Sequence, residues 1–335
     1  SDCDFYNAIQ RTEYVNEVPI TLAPGYYISP FIRVNYLLQR IFAYFGYTLQ
    51  SNFFTQTEPF TKMVVINNVI DVLVNGKIRL SDLVPDGTCA DFLTVIRKKF
   101  CCEFTSDEGQ HTANIIFLRD TLNELPENDL TSCVTQEPIV VYKTEKDYKR
   151  ITLDAEDKLD TDISDSYDDI DAMVKACPGA YFNPVDGAFY KQGWSGDYEV
   201  ITKIGEASQA YNTGGELETK ELKIPELIPE FRKLTYKATV DDENVECDLG
   251  NHLYIGSYIA RNSKMVVAGE DKETASESAS KQKTILAFSY LSEERPEGTI
   301  SAYDIHNAEH PKIFDYALYY NGPFGIFEKF YRDYD

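Results

Sequence analysis

Chemistry needs side chains of the right type at a usable spacing, and the 335 residues of this chain offer few. Of its four histidines, only His306 and His310 stand at the i,i+4 spacing of a helical metal pair. Pro311 follows at once and no H-E-x-x-H frame surrounds them, so a surface turn is the preferred reading. Asp160-x-Asp162-x-Ser164 opens like a calcium loop. The frame then fails, with Asp165 where glycine makes the turn and Asp171 where a bidentate glutamate closes the shell. A solvated acidic loop is the simpler account. Gly193-Trp194-Ser195-Gly196 lacks the residue that separates serine from the second glycine in a nucleophile elbow. The sequence holds no phosphate-cradling glycine loop of the Walker or dinucleotide type. No catalytic, cofactor-binding or metal-ligating residue is assigned, and no cofactor is expected.

The seven cysteines (Cys3, Cys89, Cys101, Cys102, Cys133, Cys177 and Cys247) are odd in number, scattered and without a C-x-x-C pair. Reduced thiols in an intracellular setting are expected, rather than a zinc site or a disulfide framework. Paired carboxylates of the glycosidase kind are easy to find among 55 acidic residues and therefore argue nothing. A formal net charge of −23 weighs against a protein that binds nucleic acid by neutralising phosphates. No apolar run reaches membrane-spanning length. The 24 Tyr and 19 Phe, against one Trp, favour β-rich structure and aromatic interfaces. The opening Ser1 and a close on FEKFYRDYD, which reads as mid-helix, predict a piece of a longer chain.

The scaffold signature lies between Ile78 and Asp120. A short strand is ended by Pro85 and Gly87, and Thr88 takes the N-cap position with Asp91 three residues on. Phe92, Leu93, Ile96 and Phe100 form one helical face, with Arg97, Lys98 and Lys99 in the last turns, where the macrodipole favours cations. The period then changes to two. His111, Ala113, Ile115 and Phe117 oppose Thr112, Asn114, Ile116 and Leu118, with a hairpin tip at Asp107-Glu108-Gly109. An earlier helix is expected from Ser29 as cap and Pro30 at N1, with Phe31, Val34, Leu37, Leu38, Ile41 and Phe45 buried and Gly46 at C′. The two helices match at a constant offset of 55 positions, through Pro30/Pro85, Leu38/Leu93, Ile41/Ile96, Phe45/Phe100 and Leu49/Phe104. Either a repeat or convergence of two amphipathic helices produces such a match.

Strands are expected at 17–22, 63–66, 69–74, 77–80, 138–142, 149–153, 252–267, 283–290 and 312–320, with a hairpin turn at Asn75-Gly76. A meander is expected over 179–204, and an extended edge at 222–231, where Pro225 and Pro229 disfavour a helix. Residues 121–135 read as a polar connector, 154–171, with eight Asp and one Glu, as an acidic loop, and 269–282 as a mobile loop. Asn321-Gly322-Pro323 turns the chain into a final helix. The fold class expected is α+β, β-rich, with barrel-like, tube-type sheets and two or three packed amphipathic helices. Two domains are expected: an α+β domain over 1–130 with two helix–strand units, and a β-rich domain over 131–335.

LSDLVPDGTCADFLTVIRKKFCCEF resembles a segment of tail proteins from phages and prophages of Bacteroidetes-type bacteria, through Leu83, Pro85, Asp86, Asp91, Phe92, Leu93 and Phe100, with Val84 intervening. SPFIRVNYLLQRIFAYFGYTL is similar to a second helix of the same proteins. YYNGPFGIFEKFYRDYD resembles a third segment, through Gly322, Gly325, Phe327, Phe330 and Tyr334. These are packing motifs near the two ends of the chain, and 130–300 has no counterpart. The resemblance implies a non-enzymatic baseplate hub or tail-tip protein of the virion tail. Such a protein forms a homo-oligomeric ring, a trimer or hexamer, with other tail and tube proteins as partners, and the ring lets DNA pass. A glycan-binding or adhesion module of a bacterial cell surface is the alternative, and a glycosidase or peptidase lysin ranks third.

Overall fold

A computed structural model describes residues 10–15, 18–22, 31–67, 81, 83–124, 133, 150–157, 170–193, 195–196, 198–200, 206–210, 219–240, 243–255, 282–291, 296–303 and 312–332. The strands expected at 69–74, 77–80 and 138–142, the Asn75-Gly76 turn, His306, His310, Asp160 to Asp165 and Tyr334 lie outside these residues.

The fold is α+β. β1 (Arg11–Val15) and β2 (Val18–Leu22) form a hairpin. β3 (Ile32–Arg33) leads directly into α1 (Val34–Tyr44), and β4 (Thr48–Leu49) follows. The helix expected from Ser29 thus begins at Val34, because Ile32 and Arg33 are committed to pairing with Val65 and Val64 of β5 (Met63–Val65). Two ends of the expected stripe are corrected with it. Phe31 is 44% and Phe45 60% exposed, while Val34, Leu38 and Ile41 are buried. Gly46 takes the left-handed C′ conformation at φ +85°, as expected.

α2 (Phe53–Gln56) precedes β5. α3 spans Cys89–Lys99 under the expected capping box: Thr88 Oγ1 accepts from the Asp91 N–H (3.1 Å), and Asp91 Oδ2 accepts from the Thr88 N–H (2.8 Å). The Thr88 N–H and, second, the Thr88 hydroxyl, which also donates to Asp91 Oδ2 (2.8 Å), hold the Asp91 carboxyl below its usual range. β6 (Cys102–Asp107) and β7 (Thr112–Phe117) form the expected hairpin, with Ala113, Ile115 and Phe117 buried. The sheet order is β4-β7-β6, so both helix–strand units meet on β7. The bounds of α1 and α3 are themselves 55 residues apart at each end. Cys101, 55 residues after Gly46, shares its positive φ (+47°). Leu118 leaves the strand period and starts α4 (Leu118–Asn123), a short helix that runs into the connector expected at 121–135.

β8 (Arg150–Asp157) outruns the strand expected at 149–153. Ile151, Leu153 and Ala155 are buried in alternation, so Asp154 and Glu156 belong to the opposite face of a strand rather than to the acidic loop. The loop also ends early, at α5 (Ile170–Ala176). β9 (Tyr181–Asn183), β10 (Ala188–Gln192) and β11 (Tyr198–Val200) are the expected meander. β12 (Glu206–Ala210) and β13 (Thr219–Leu227) flank β8, and β13 is an edge whose register shifts between Ile224 and Leu227, around Pro225. β14 (Glu230–Val240) and β15 (Glu243–Tyr254) make a long hairpin that takes in the start of the strand expected at 252–267. β16 (Leu286–Leu291) and β17 (Pro296–Thr299) complete a sheet in the order β17-β16-β5-β3. Every sheet has two to four strands, and none closes into a barrel among the described residues.

Residues 312–320 are not a strand beyond a bridge between Lys312 and Tyr303. Ala317, Leu318, Tyr319 and Tyr320 are consecutive and all fully buried. Their backbone instead pairs with the turn that follows: the Ala317 N–H donates to Phe324 O (2.7 Å) and the Ile326 N–H to Tyr319 O (2.9 Å). Gly322 sits at φ +77° in the expected turn, and Phe327–Tyr331 is a π-helical turn. Phe330 reaches the centre of the core, 5.3 Å from Phe100 and 5.7 Å from Phe117 between ring centroids. Phe53, Phe54, Phe60, Phe288 and Tyr316 complete this aromatic cluster. Such pairs contribute about 0.5–1.5 kcal/mol each beyond area burial. The buried cluster draws on residues from both sides of position 130.

Candidate functional site

Three places bring polar or aromatic groups together. The first is buried. The last turn of α3 carries Lys99 into the core, where its Nζ donates to Glu226 Oε1 of β13 at 2.5 Å; both side chains are 1% exposed. The Tyr320 hydroxyl donates to the same Oε1 (2.7 Å), and the Tyr320 ring lies 4.9 Å from Nζ. Burial lowers the pKa of Lys99 despite the Glu226 carboxylate, and burial raises that of Tyr320. Lys98 Nζ donates to Lys223 O (3.0 Å) and the Tyr331 hydroxyl to Lys98 O, so α3 is clasped from both sides. The sequence accounts for the cation at position 99 only by the helix end, where the macrodipole favours it. The missed signal is its spacing, for Phe92, Val95 and Lys99 follow the i, i+3, i+7 stripe.

The second is the β9–β10 turn. Asp186 accepts from the Ala188 N–H (3.0 Å), Asn183 Nδ2 (2.9 Å) and the Tyr190 hydroxyl. Pro184 O accepts from Ser301 Oγ (2.8 Å) and the Tyr319 hydroxyl (3.0 Å), docking the turn on Ser301 and on the 312–322 segment. Burial pushes the Asp186 carboxyl up to about 6 against these hydrogen bonds, while Tyr190 and Tyr319 are raised far enough to stay protonated. A raised carboxyl contributes stability that is complete below about pH 4, its unfolded value, and is lost as pH rises through about 6. We expect the Asp186 share of stability to fall by as much as about 2–3 kcal/mol between pH 4 and 7. Urea midpoints across that range check this, and Asp186→Asn should flatten the slope. An unchanged slope in the variant would assign the pH dependence elsewhere.

The third is a surface. Tyr44 and Phe45, at the end of α1, are 83% and 60% exposed with their rings in edge contact at 5.2 Å. Phe42 packs beneath on Phe104 (5.6 Å), and Tyr47 faces His111 at the hairpin tip (6.0 Å). These rings form a small exposed aromatic surface.

A cleft of about 400 Å³ lies between α1, the start of α3 and the end of β8. It is lined by Cys89, Asp86, Asp91 and Glu156 with Leu37 and Ile41, and no histidine lines it among the described residues. Burial raises the Cys101 thiol to about 11 and Cys102 further. Among the described residues, no group of three or more His, Cys, Asp or Glu could hold a metal ion. No helix among them is long and apolar enough to cross a membrane. Ser195 lies in the turn between β10 and β11, and Asp171 lies in α5 rather than in a loop. Comparison with known proteins found no matching family model, curated protein or solved structure.

Proposed function

We propose that this chain is a structural, non-enzymatic subunit of a phage-like tail, a baseplate hub or tail-tip protein that continues the tail tube as a homo-oligomeric ring. The observation that carries the reading is the exposed aromatic surface of Tyr44 and Phe45 on a chain of net charge −23. Free in solution, such a surface is a liability; buried against a neighbouring subunit or tail protein, it supplies the apolar anchor of an interface. The residues through which the sequence resembles tail proteins support the same reading. Leu83, Phe92, Phe100, Phe327 and Phe330 are all buried, so the likeness lies in the packing that shapes the subunit. On this reading the β-rich part supplies a tube-type wall, and its acidity lets DNA slide past without binding.

The test is mass spectrometry of intact tails sedimented from an induced culture of the source bacterium. The chain should be present at a few copies per tail. A Tyr44→Ser/Phe45→Ser variant should be lost from assembled tails by at least tenfold, at an unchanged melting temperature of the free subunit. Absence of the wild-type chain from intact tails would overturn the proposal.

One observation favours a second reading. The Tyr181 and Tyr190 rings are stacked at 5.6 Å and 21°, and Tyr181 is 42% exposed, a small platform of the kind that sugars stack on. A glycan-binding or adhesion module predicts binding on a glycan array that Tyr181→Ala abolishes.

A further inference from the structure

We propose that Lys99 and Glu226 are the partners of an intramolecular isopeptide bond, closed between α3 and β13 in the folded chain. The geometry is that of two reactants already in contact. Nζ stands 2.5 Å from Oε1, and the carboxyl carbon is one bond further on. Both side chains are sealed from water at 1% exposure. Held groups of this kind react as if at about 10⁵–10⁸ M, which lowers the barrier to amide formation, and the exclusion of water opposes hydrolysis of the product. Burial also favours the neutral amine, the form that carries a lone pair.

The step balances without any co-reactant. A proton passes from the ammonium to the carboxylate, leaving Lys99 as an amine and Glu226 as a carboxylic acid. The Nζ lone pair adds to the carboxyl carbon. The Tyr320 hydroxyl, already donating to Oε1 at 2.7 Å, steadies the negative charge that develops on that oxygen. The bond from carbon to the other oxygen then breaks. That oxygen leaves as water, with its own acid proton and one from Nζ. The product is a neutral amide, so two charges that were costly to keep in the core disappear together. Tyr320 acts as a positioning and charge-steadying group and does not change covalently.

The inference is independent of the tail-protein reading and is tested on the purified full chain. Intact mass under denaturing conditions should be lower than the sequence mass by one water. Digestion should yield a branched peptide joining the segments around 99 and 226, with no tryptic cleavage after Lys99. Lys99→Arg keeps a cation but not the nucleophile and should have its full sequence mass. Tyr320→Phe should close the bond at least tenfold more slowly after refolding. A wild-type chain at full mass would overturn the proposal, as would a water loss that persists in Lys99→Arg. An unchanged closure rate in Tyr320→Phe would remove the role given to the hydroxyl.

Discussion

Truncation of Glu226 to alanine is expected to destabilise the fold by about 3–5 kcal/mol, because it leaves a buried lysine without its partner. Lys99 is 1% exposed and cannot reach water without unseating the last turn of α3. The Tyr320 hydroxyl loses its acceptor in the same change. If the amide has closed, the loss is larger, since the tie between 99 and 226 no longer restrains the unfolded chain, as with a disulfide. The comparison is Arg97–Glu103, a pair at 3.6 Å with both side chains about half exposed. Truncating Glu103 should cost less than about 1 kcal/mol. Guanidinium midpoints at constant m-value check both. Equal losses at the two sites would mean that burial of Lys99 carries no energetic weight.

Gly325→Ala is the second large effect. A Cβ at 325 would lie 2.0 Å from Asn321 O and 2.7 Å from Tyr320 O, both of them backbone atoms that no rotamer change can move. The turn that satisfies the backbone of 317–320 would have to open, and Tyr319 and Tyr320 would leave the core with it. We expect a loss of about 3 kcal/mol or more, or failure to fold. Gly46→Ala is the control. Its Cβ would meet nothing within 4 Å, so the left-handed φ alone should cost about 1–2 kcal/mol. Soluble yield and denaturant midpoints distinguish the two. A Gly325→Ala protein as stable as the control would mean that the 317–327 turn is not needed for the fold.

What could be read in advance follows from how local each signal is. The capping box of Thr88 and Asp91, the alternation from Ala113 to Phe117 and the Gly46 cap are set by neighbours within a few residues, and all were legible. The start of α1 was misplaced because Ile32 and Arg33 pair with a strand some thirty residues later. The acidic residues of β8 were read as a loop because strand pairing with β12 and β13, over fifty residues on, outweighs their local preference. The helix-end position of Lys99 is legible, but its burial is not, because nothing near it marks Glu226, 127 positions away, as its partner. The aromatic surface was half legible: the abundance of Tyr and Phe pointed to interfaces, but Phe45 was assigned to the core.

The seating of the 312–332 segment has a consequence for the order in which the protein comes into being. Phe330 completes an aromatic cluster whose other members include Phe53, Phe60, Phe100 and Phe117. The Arg119 guanidinium likewise waits for Lys329 O, 210 positions downstream. At ordinary translation speeds that interval is roughly 10–40 s. Throughout it, the first helices and the β6–β7 hairpin are on the nascent chain with their apolar faces unroofed. The core around Phe100 and Phe117 therefore closes only after residues 312–332 have been made, and chains that stop short of them should aggregate.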